Sequence, residues 1–310
     1  MRGLLFFNTV AYSSEGMFTS GLNRVGMASV LVTGGNGFIG THLCRHLQGL
    51  GHHVISLDIM HTDSHTWECI IADIRDDLQF DGIDYIIHLA AQISVPESID
   101  NPDVTLSINV DGTKSIISAA EAAGVNKIIF ASSAAVYGDC EEIPTTEEAT
   151  LIPQSPYAVS KIVGEELLRR SEIASCSLRF FNVYGPGQSS EGGYAAVIPA
   201  FKKAISLGKE CTIFGDGTQV RDFIHVHDLV RIIGLCLEAK DLPTEMNVAS
   251  GTETSLLDLV ETLKELNPEM KPPLFEDERP GDIHTSVADI SRLTQTLPIG
   301  EMTTLKEGLS

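Results

Sequence analysis

Tyr157 and Lys161 lie four residues apart in Ser155-Pro156-Tyr157-Ala158-Val159-Ser160-Lys161. On a helix that interval sets both side chains on one face, one turn apart. A free phenol has a pKa of about 10 and is a poor base at neutral pH. An ammonium within roughly 4–6 Å favours the phenolate. Reaching a pKa near 7 takes about three units, or roughly 4 kcal/mol. One lysine supplies part of this, and a positively charged nicotinamide ring would supply more. The pair therefore makes sense as a general acid and base beside an oxidised dinucleotide. Tyr-x-x-x-Lys also arises by accident on helix faces, so its meaning rests on its company. Ser132 and Ser133 stand just upstream, followed by Ala134-Ala135-Val136-Tyr137-Gly138.

A dinucleotide needs a phosphate cradle, and Gly34-x-x-Gly37-x-x-Gly40 offers one. Glycines permit a tight turn and close backbone approach to a pyrophosphate resting on a helix N-terminus. The β-rich run 28–33 precedes these glycines, and a helix to about Leu50 follows. Asp58 ends the next strand, eighteen residues beyond Gly40. A carboxylate there accepts from adenosine ribose hydroxyls and repels a 2′-phosphate, so NAD is expected rather than NADP. Asp73-Ile74 suits the adenine edge, with Asp73 accepting from the amino group.

Further strands are expected at 68–72, 85–89, 127–130 and 177–180, with one long helix over 102–123 and another from Tyr157. Apolar strands alternating with helices predict an α/β fold: a Rossmann-type, doubly wound parallel sheet. Ligands in such sheets bind beyond the carboxyl ends of the strands. Gly34, Asp58, Ala90, Ser133 and Asn182 all fall at those ends. After about Phe181 the pattern is less regular, with Gly/Ser-rich and Pro-rich breaks. This predicts a Rossmann domain over 27–180 and a smaller mixed C-terminal substrate-binding region over 181–310, partly interleaved with it. Residues 1–26 are expected to be a disordered extension outside the fold.

The chain has 310 residues, with 21 Lys plus Arg against 42 Asp plus Glu, a net charge of −21. That balance disfavours nucleic acid and anionic membrane as partners. Bound phosphate must then be held by local devices, such as backbone amides or isolated arginines. The six cysteines form no Cys-x-x-Cys pair, and several sit in apolar runs. They point to a reducing, cytoplasmic setting without disulfides or a zinc site. His225-x-His227 lies in an alternating apolar run and is not read as a metal pair.

From Met27 to about Asp289 the chain resembles the extended short-chain dehydrogenase/reductase family, in its nucleotide-sugar epimerase/dehydratase branch. The resemblance is carried by Thr33-Gly34-Gly35-Asn36-Gly37-Phe38-Ile39-Gly40, His88-Leu89-Ala90-Ala91, Asn109, Ser132-Ser133, Tyr157-x-x-x-Lys161 and Arg179-Phe180-Phe181-Asn182-Val183-Tyr184-Gly185-Pro186. It continues through Gly215-Asp216-Gly217-Thr218-Gln219-Val220-Arg221-Asp222-Phe223 and Arg279-Pro280-Gly281-Asp282. The resemblance implies roles. Tyr157 is the acid and base, Lys161 holds the nicotinamide ribose and lowers the Tyr157 pKa, and Ser133 bonds the reacting hydroxyl. Phe181 and Leu89 to Ile93, with Ala90 and Ala91, line the nicotinamide side, and Asn109 lies near. Asn36, Phe38 and Ile39 join the glycines around the cofactor. Asn182, Val197, Thr212, Phe214, Arg221 and Arg279 grip the nucleotide diphosphate. Arginines suit that task because each can fork onto phosphate oxygens. The bland alternative is surface ion pairing, of Arg221 with Asp222 and of Arg279 with Glu276 or Asp282.

Dehydratases of this branch carry an Asp-Glu pair after the serine, where this chain has Ala134-Ala135. Neither alanine can move a proton, so the resemblance implies 4-epimerisation of a UDP-hexose through a transient 4-keto sugar. At the position four residues beyond Asp282, a bulky Tyr marks family members limited to glucose and galactose. Here it is Ser286, which leaves room for an N-acetyl group. UDP-GlcNAc/UDP-GalNAc, and UDP-Glc/UDP-Gal beside them, are the expected substrates. The alternatives are a 4-ketoreductase, a UDP-glucuronate decarboxylase, or a non-catalytic NAD-binding regulator, though the last would be expected to have lost Tyr157 or Lys161. The family commonly dimerises through two helices, here near 103–123 and from Tyr157, so a homodimer is expected.

Overall fold

The computed structural model describes residues 27–62, 65–190, 196–278 and 283–310; the expected extension 1–26 lies outside them. The first sheet contains β1 (Ser29–Thr33), β2 (His53–Asp58), β3 (Glu68–Ile71), β4 (Tyr85–His88), β5 (Lys127–Ser133) and β6 (Ala174–Phe180). Its order, 3-2-1-4-5-6 with a later strand beyond β6, is parallel throughout. The chain reverses its direction of progress between β1 and β4, so the crevice beyond those two strands is the ligand position of a doubly wound sheet.

Helices follow from local signals. Before α1 (Phe38–Gly49), Gly37 occupies the N-cap position without a capping side chain. The short α2 (Val95–Asp100) and α3 (Pro102–Leu106) lead into a π-helical turn, Ser107–Asp111, and then α4 (Gly112–Ala123). The single helix expected over 102–123 is thus broken. The wide turn rotates Asn109 inward, where it is buried. At Gly112 a Cβ would stand 2.4 Å from Ile74 Cδ1, so glycine lets the helix approach the sheet. The Tyr157 helix, α5 (Pro156–Arg170), starts where Ser155 Oγ accepts from Ala158 N at 3.1 Å, with Pro156 just inside.

Beyond β6 come β7 (Asn182–Tyr184), α6 (Val197–Ser206), β8 (Thr212–Phe214), β9 (Val220–His225), α7 (Val226–Glu238), β10 (Glu245–Val248), β11 (Glu253–Ser255), α8 (Leu256–Leu266), β12 (Leu274–Glu276), β13 (Thr285–Ser286), α9 (Ser291–Thr296) and α10 (Leu305–Leu309). Strand β9 pairs with β7, β11 and β13, while β8 pairs with β12. Strand β10 is the outer strand of the first sheet, beside β6, and α7 packs on α1. Apolar clusters cover both faces of the first sheet, and a separate one joins α6, β8, β9, α8 and α10. No helix among the described residues is long and apolar enough to cross a membrane.

Candidate active site

Strand β1 delivers the glycine turn. Gly34 has φ +70°, and a Cβ there would lie 2.8 Å from Ala90 N. A Cβ on Gly40 would come within 2.1 Å of Gly34 O and 2.6 Å of Gly35 Cα. Helix α1 therefore sits directly against its own entry loop, and its first amides have no capping side chain. This is a ready site for a pyrophosphate. Asp58 closes the loop from the side, accepting from Asn36 N and Met60 N, each at 3.0 Å. Asn36 Nδ2 donates to Met60 O at 2.6 Å.

The adenine-edge expectation meets a different arrangement. Asp73 is forked by Arg75, with Nε–Oδ1 at 2.9 Å and Nη2–Oδ2 at 2.6 Å, and this hydrogen bonding lowers its pKa. Arg75 also reaches Ser107 Oγ at 3.3 Å. The Ile74 side chain is buried in the core beneath Gly112.

Leu89 N donates to Thr33 O and Ala90 N to Thr33 Oγ1, which carries the loop through Ala91 out of β4. Asn109 is only 3% exposed. Its Oδ1 accepts from Gln92 N at 2.7 Å, and its Nδ2 donates to Gln92 O and Ser160 Oγ, each at 2.9 Å. Its amide thus holds the loop to α5 rather than presenting itself to the cleft. Phe181 is also buried, packed on Tyr137 with ring centroids 6.3 Å apart.

Ser133 ends β5 against the face of α5 that bears Tyr157 and Lys161. The Lys161 ammonium donates to Ala131 O at 2.7 Å and lies 5.7 Å from the centroid of the Tyr157 ring. Burial lowers Lys161 to about 8, with the Glu165 carboxylate opposing. Burial pushes the Tyr157 phenol up, and hydrogen bonding with Ser133 offsets part of that rise. Here the expectation that Lys161 brings Tyr157 down is corrected for the protein alone. Desolvation of the phenolate outweighs the help it receives, and the ammonium is directed at a carbonyl.

Asn182, Val197, Thr212, Phe214 and Arg221 all line one cavity of about 420 Å³. Asn182 Nδ2 donates to Asp222 O at 2.9 Å. The Asp222 carboxylate points elsewhere and is fully buried, accepting from Ser250 N and Oγ and from Gly251 N. It is therefore no partner for Arg221, whose Nη1 donates to Val220 O and His284 O. Ser286 on β13 is in register with Arg221, at the edge of this lining. Arg279, with the rest of its motif, lies outside the described residues. Tyr184, Gln188, Phe201, Gln219, Phe223 and Leu256 also line the cavity and were not anticipated. Phe201 and Leu256 read as ordinary helix core, whereas Gln219 and Phe223 stand inside a motif quoted for the resemblance.

The family model for the NAD-dependent epimerase/dehydratase family matches residues 30–249, more than half of the sequence. This chain belongs to that family. The UDP-glucose 4-epimerase of Mycolicibacterium smegmatis is 35% identical over 301 residues, covering 90% of this chain and 96% of that protein. The structure of UDP-N-acetylglucosamine 4-epimerase from Methanobrevibacter ruminantium M1, in complex with UDP-N-acetylmuramic acid, superposes with a TM-score of 0.84 at 33% identity. It covers 91% of this chain and 97% of its own. An NAD-dependent NDP-hexosamine 5,6-dehydratase involved in tunicamycin biosynthesis superposes with a TM-score of 0.83 at 30% identity, covering 91% and 95%. The protein is thus an enzyme of the NAD-dependent epimerase/dehydratase family, and its cofactor is NAD. The glycine turn and the uncapped start of α1 fit that cofactor, because backbone amides can meet its phosphates where any Cβ at Gly34 or Gly40 would collide.

Proposed function

We propose that this enzyme interconverts the C4 epimers of a UDP-hexose. What supports the reading is one Tyr–Lys–Ser grouping followed by two alanines. Tyr157, Lys161 and Ser133 converge at the end of β5, and the next two residues are Ala134 and Ala135. Eliminating water from a sugar needs a second group to move a proton, and those alanines cannot provide it. Gly34–Gly40 and Asp58 would hold NAD, which would supply reversible hydride acceptance at the sugar's C4.

The chain's own groups do the rest. Ser133 hydrogen-bonds the C4 oxygen, and Tyr157 Oη removes its proton and later gives it back. Lys161 contributes positive charge that favours the phenolate. Asn182, Val197, Thr212, Phe214, Arg221 and Arg279 hold the UDP moiety, so the sugar can turn about its diphosphate while tethered. In this reading residues 27–180 mainly bind NAD and residues 181–310 mainly bind the nucleotide-sugar. Ser286, beside Arg221, leaves room at C2, so UDP-GlcNAc/UDP-GalNAc is accepted as well as UDP-Glc/UDP-Gal. The relatives named for acting on glucose and on N-acetylglucosamine support both. Val104 and Val159 are exposed on α3 and α5 and support a homodimer joined through this face.

The test is incubation of purified protein with UDP-GlcNAc and, separately, UDP-glucose, read by NMR of the anomeric signals. Galacto-configured product without stoichiometric consumption of added NADH is expected. Tyr157→Phe is expected to fold, retain NAD and lose nearly all turnover. Conversion of neither sugar, with NAD supplied, would reject the epimerase reading, and substantial activity in Tyr157→Phe would place the base elsewhere.

A further inference from the structure

Beneath the acid–base pair lies a buried ion pair that the proposed reaction does not use. The side chains of Arg179 on β6 and Glu165 on α5 are 3% and 2% exposed. Arg179 forks onto both carboxylate oxygens, Nε–Oε1 at 2.9 Å and Nη2–Oε2 at 2.7 Å. Ser132 Oγ, on the residue before Ser133, donates to the same Oε1. Arg179 Nη1 also donates to Tyr137 Oη and to Glu147 O. Burying such a pair is weak evidence for stability, since well-packed apolar side chains would join the helix to the sheet at least as well. Glu165 is one turn beyond Lys161 on the same face of α5, as Lys161 is beyond Tyr157.

We propose that Glu165 is a positioning residue for the acid–base pair: its carboxylate, fixed by Arg179 and Ser132, keeps the Lys161 ammonium charged where it is held, near Tyr157. This rests on the reading of Tyr157 as the acid and base. The direction of the electrostatics agrees, because burial depresses Lys161 and Glu165 opposes that depression. From β4, His88 faces Lys161 and is held neutral by burial. From β6 and the turn after β5, the charged or titratable groups are Arg179 and Tyr137, both already bonded into the pair. The π-helical turn and α4 present Asn109 and Thr113, while Glu97, Asp100, Asp103, Asp111 and Lys114 are exposed to water. Glu165 is thus the carboxylate placed to support Lys161 from within the core.

The test is an NMR titration of the full chain carrying lysine labelled with ¹³C at Cε, without substrate. The Lys161 signal is assigned by its loss in Lys161→Met. Glu165→Gln leaves the Arg179 guanidinium uncompensated and is expected to lower the Lys161 midpoint by about one pH unit or more. Arg179→Gln leaves the carboxylate uncompensated and is expected to raise it, so the proposal remains testable if either variant fails to fold. Glu165→Asp keeps the charge and is expected to stay nearer wild type. In Glu165→Gln the alkaline limb of the kcat/KM profile is expected to move to lower pH, because Lys161 then loses at a lower pH the charge that stabilises the phenolate. A Lys161 midpoint unmoved in the folded variants, whatever their melting temperatures, would overturn the proposal, as would a moved midpoint with an unmoved pH profile. Failure of wild type to epimerise any sugar counts against the reaction alone, since the titration needs no substrate.

Discussion

Lowering the pH from neutral to 5 is expected to remove about 2 kcal/mol of stability through one side chain, His88. This imidazole is 1% exposed and bridges β1 to α4. Its Nδ1 lies 2.7 Å from Thr33 Oγ1 and its Nε2 lies 3.0 Å from Thr113 Oγ1. The Thr113 hydroxyl donates to Asn109 O at 2.6 Å, so it accepts from His88 and the proton sits on Nε2. Thr33 Oγ1 accepts from Ala90 N, which leaves its own hydrogen for Nδ1. The network is thus satisfied by neutral imidazole. Burial, helped by the Lys161 charge, lowers His88 from 6.5 to about 3. The unfolded chain takes up a proton near pH 6.5 and the native state does not until about pH 3. The contribution is therefore complete above pH 6.5 and is lost as pH falls. Between pH 7 and 5 the difference is about 1.5 units, at about 1.36 kcal/mol each. Urea unfolding of wild type and His88→Gln at both pH values isolates this amount, because His46 and His225 titrate alike in the two proteins. An equal loss of stability in both would refute the assignment of a buried neutral imidazole.

Two further substitutions separate the cofactor cradle from the frame. Gly40→Ala places a Cβ against backbone atoms of Gly34 and Gly35 that no rotamer can relieve, so NAD affinity by calorimetry is expected to fall at least about tenfold. Gly49→Ala, on the same helix with nothing within 4 Å, should leave affinity unchanged and stabilise by about 0.5–1 kcal/mol. At the opposite end of β5, Lys127 Nζ donates to Cys236 O, Leu237 O and Ala239 O at 2.9, 3.2 and 2.5 Å, capping the last carbonyls of α7. Lys127→Met is expected to cost about 2–4 kcal/mol in urea unfolding while NAD affinity holds. Loss of affinity with stability unchanged would reverse that account.

What could be read in the sequence was local. A β-rich run ending in glycines, an Asp closing the next strand, and the four-residue interval between Tyr157 and Lys161 each declare themselves within a few residues. The grouping of Asn182, Val197, Thr212, Phe214 and Arg221 came only from the family resemblance, since these residues come from separate elements. What escaped reading depends on contacts between distant segments. The π-helical turn exists where Asn109 must reach both Gln92 and Ser160, and no spacing in 102–123 announces it. Arg221-Asp222 reads as an ion pair, yet a strand sends neighbouring side chains to opposite faces, and Asp222 turns inward to Ser250.

The Tyr157–Lys161 pair shows the same division most sharply. Its helical spacing was evident, but its charge state was not, because desolvation depends on everything packed around it. Enclosure raises Tyr157 and lowers Lys161 together, so the protein alone moves both groups towards their neutral forms. On the proposed reading, an oxidised nicotinamide bound beside the phenol would add positive charge there, and Glu165 is placed to add negative charge behind the ammonium. The phenol's affinity for its proton is then tied to cofactor occupancy. Tyr157 is expected to become a competent base only in a loaded site.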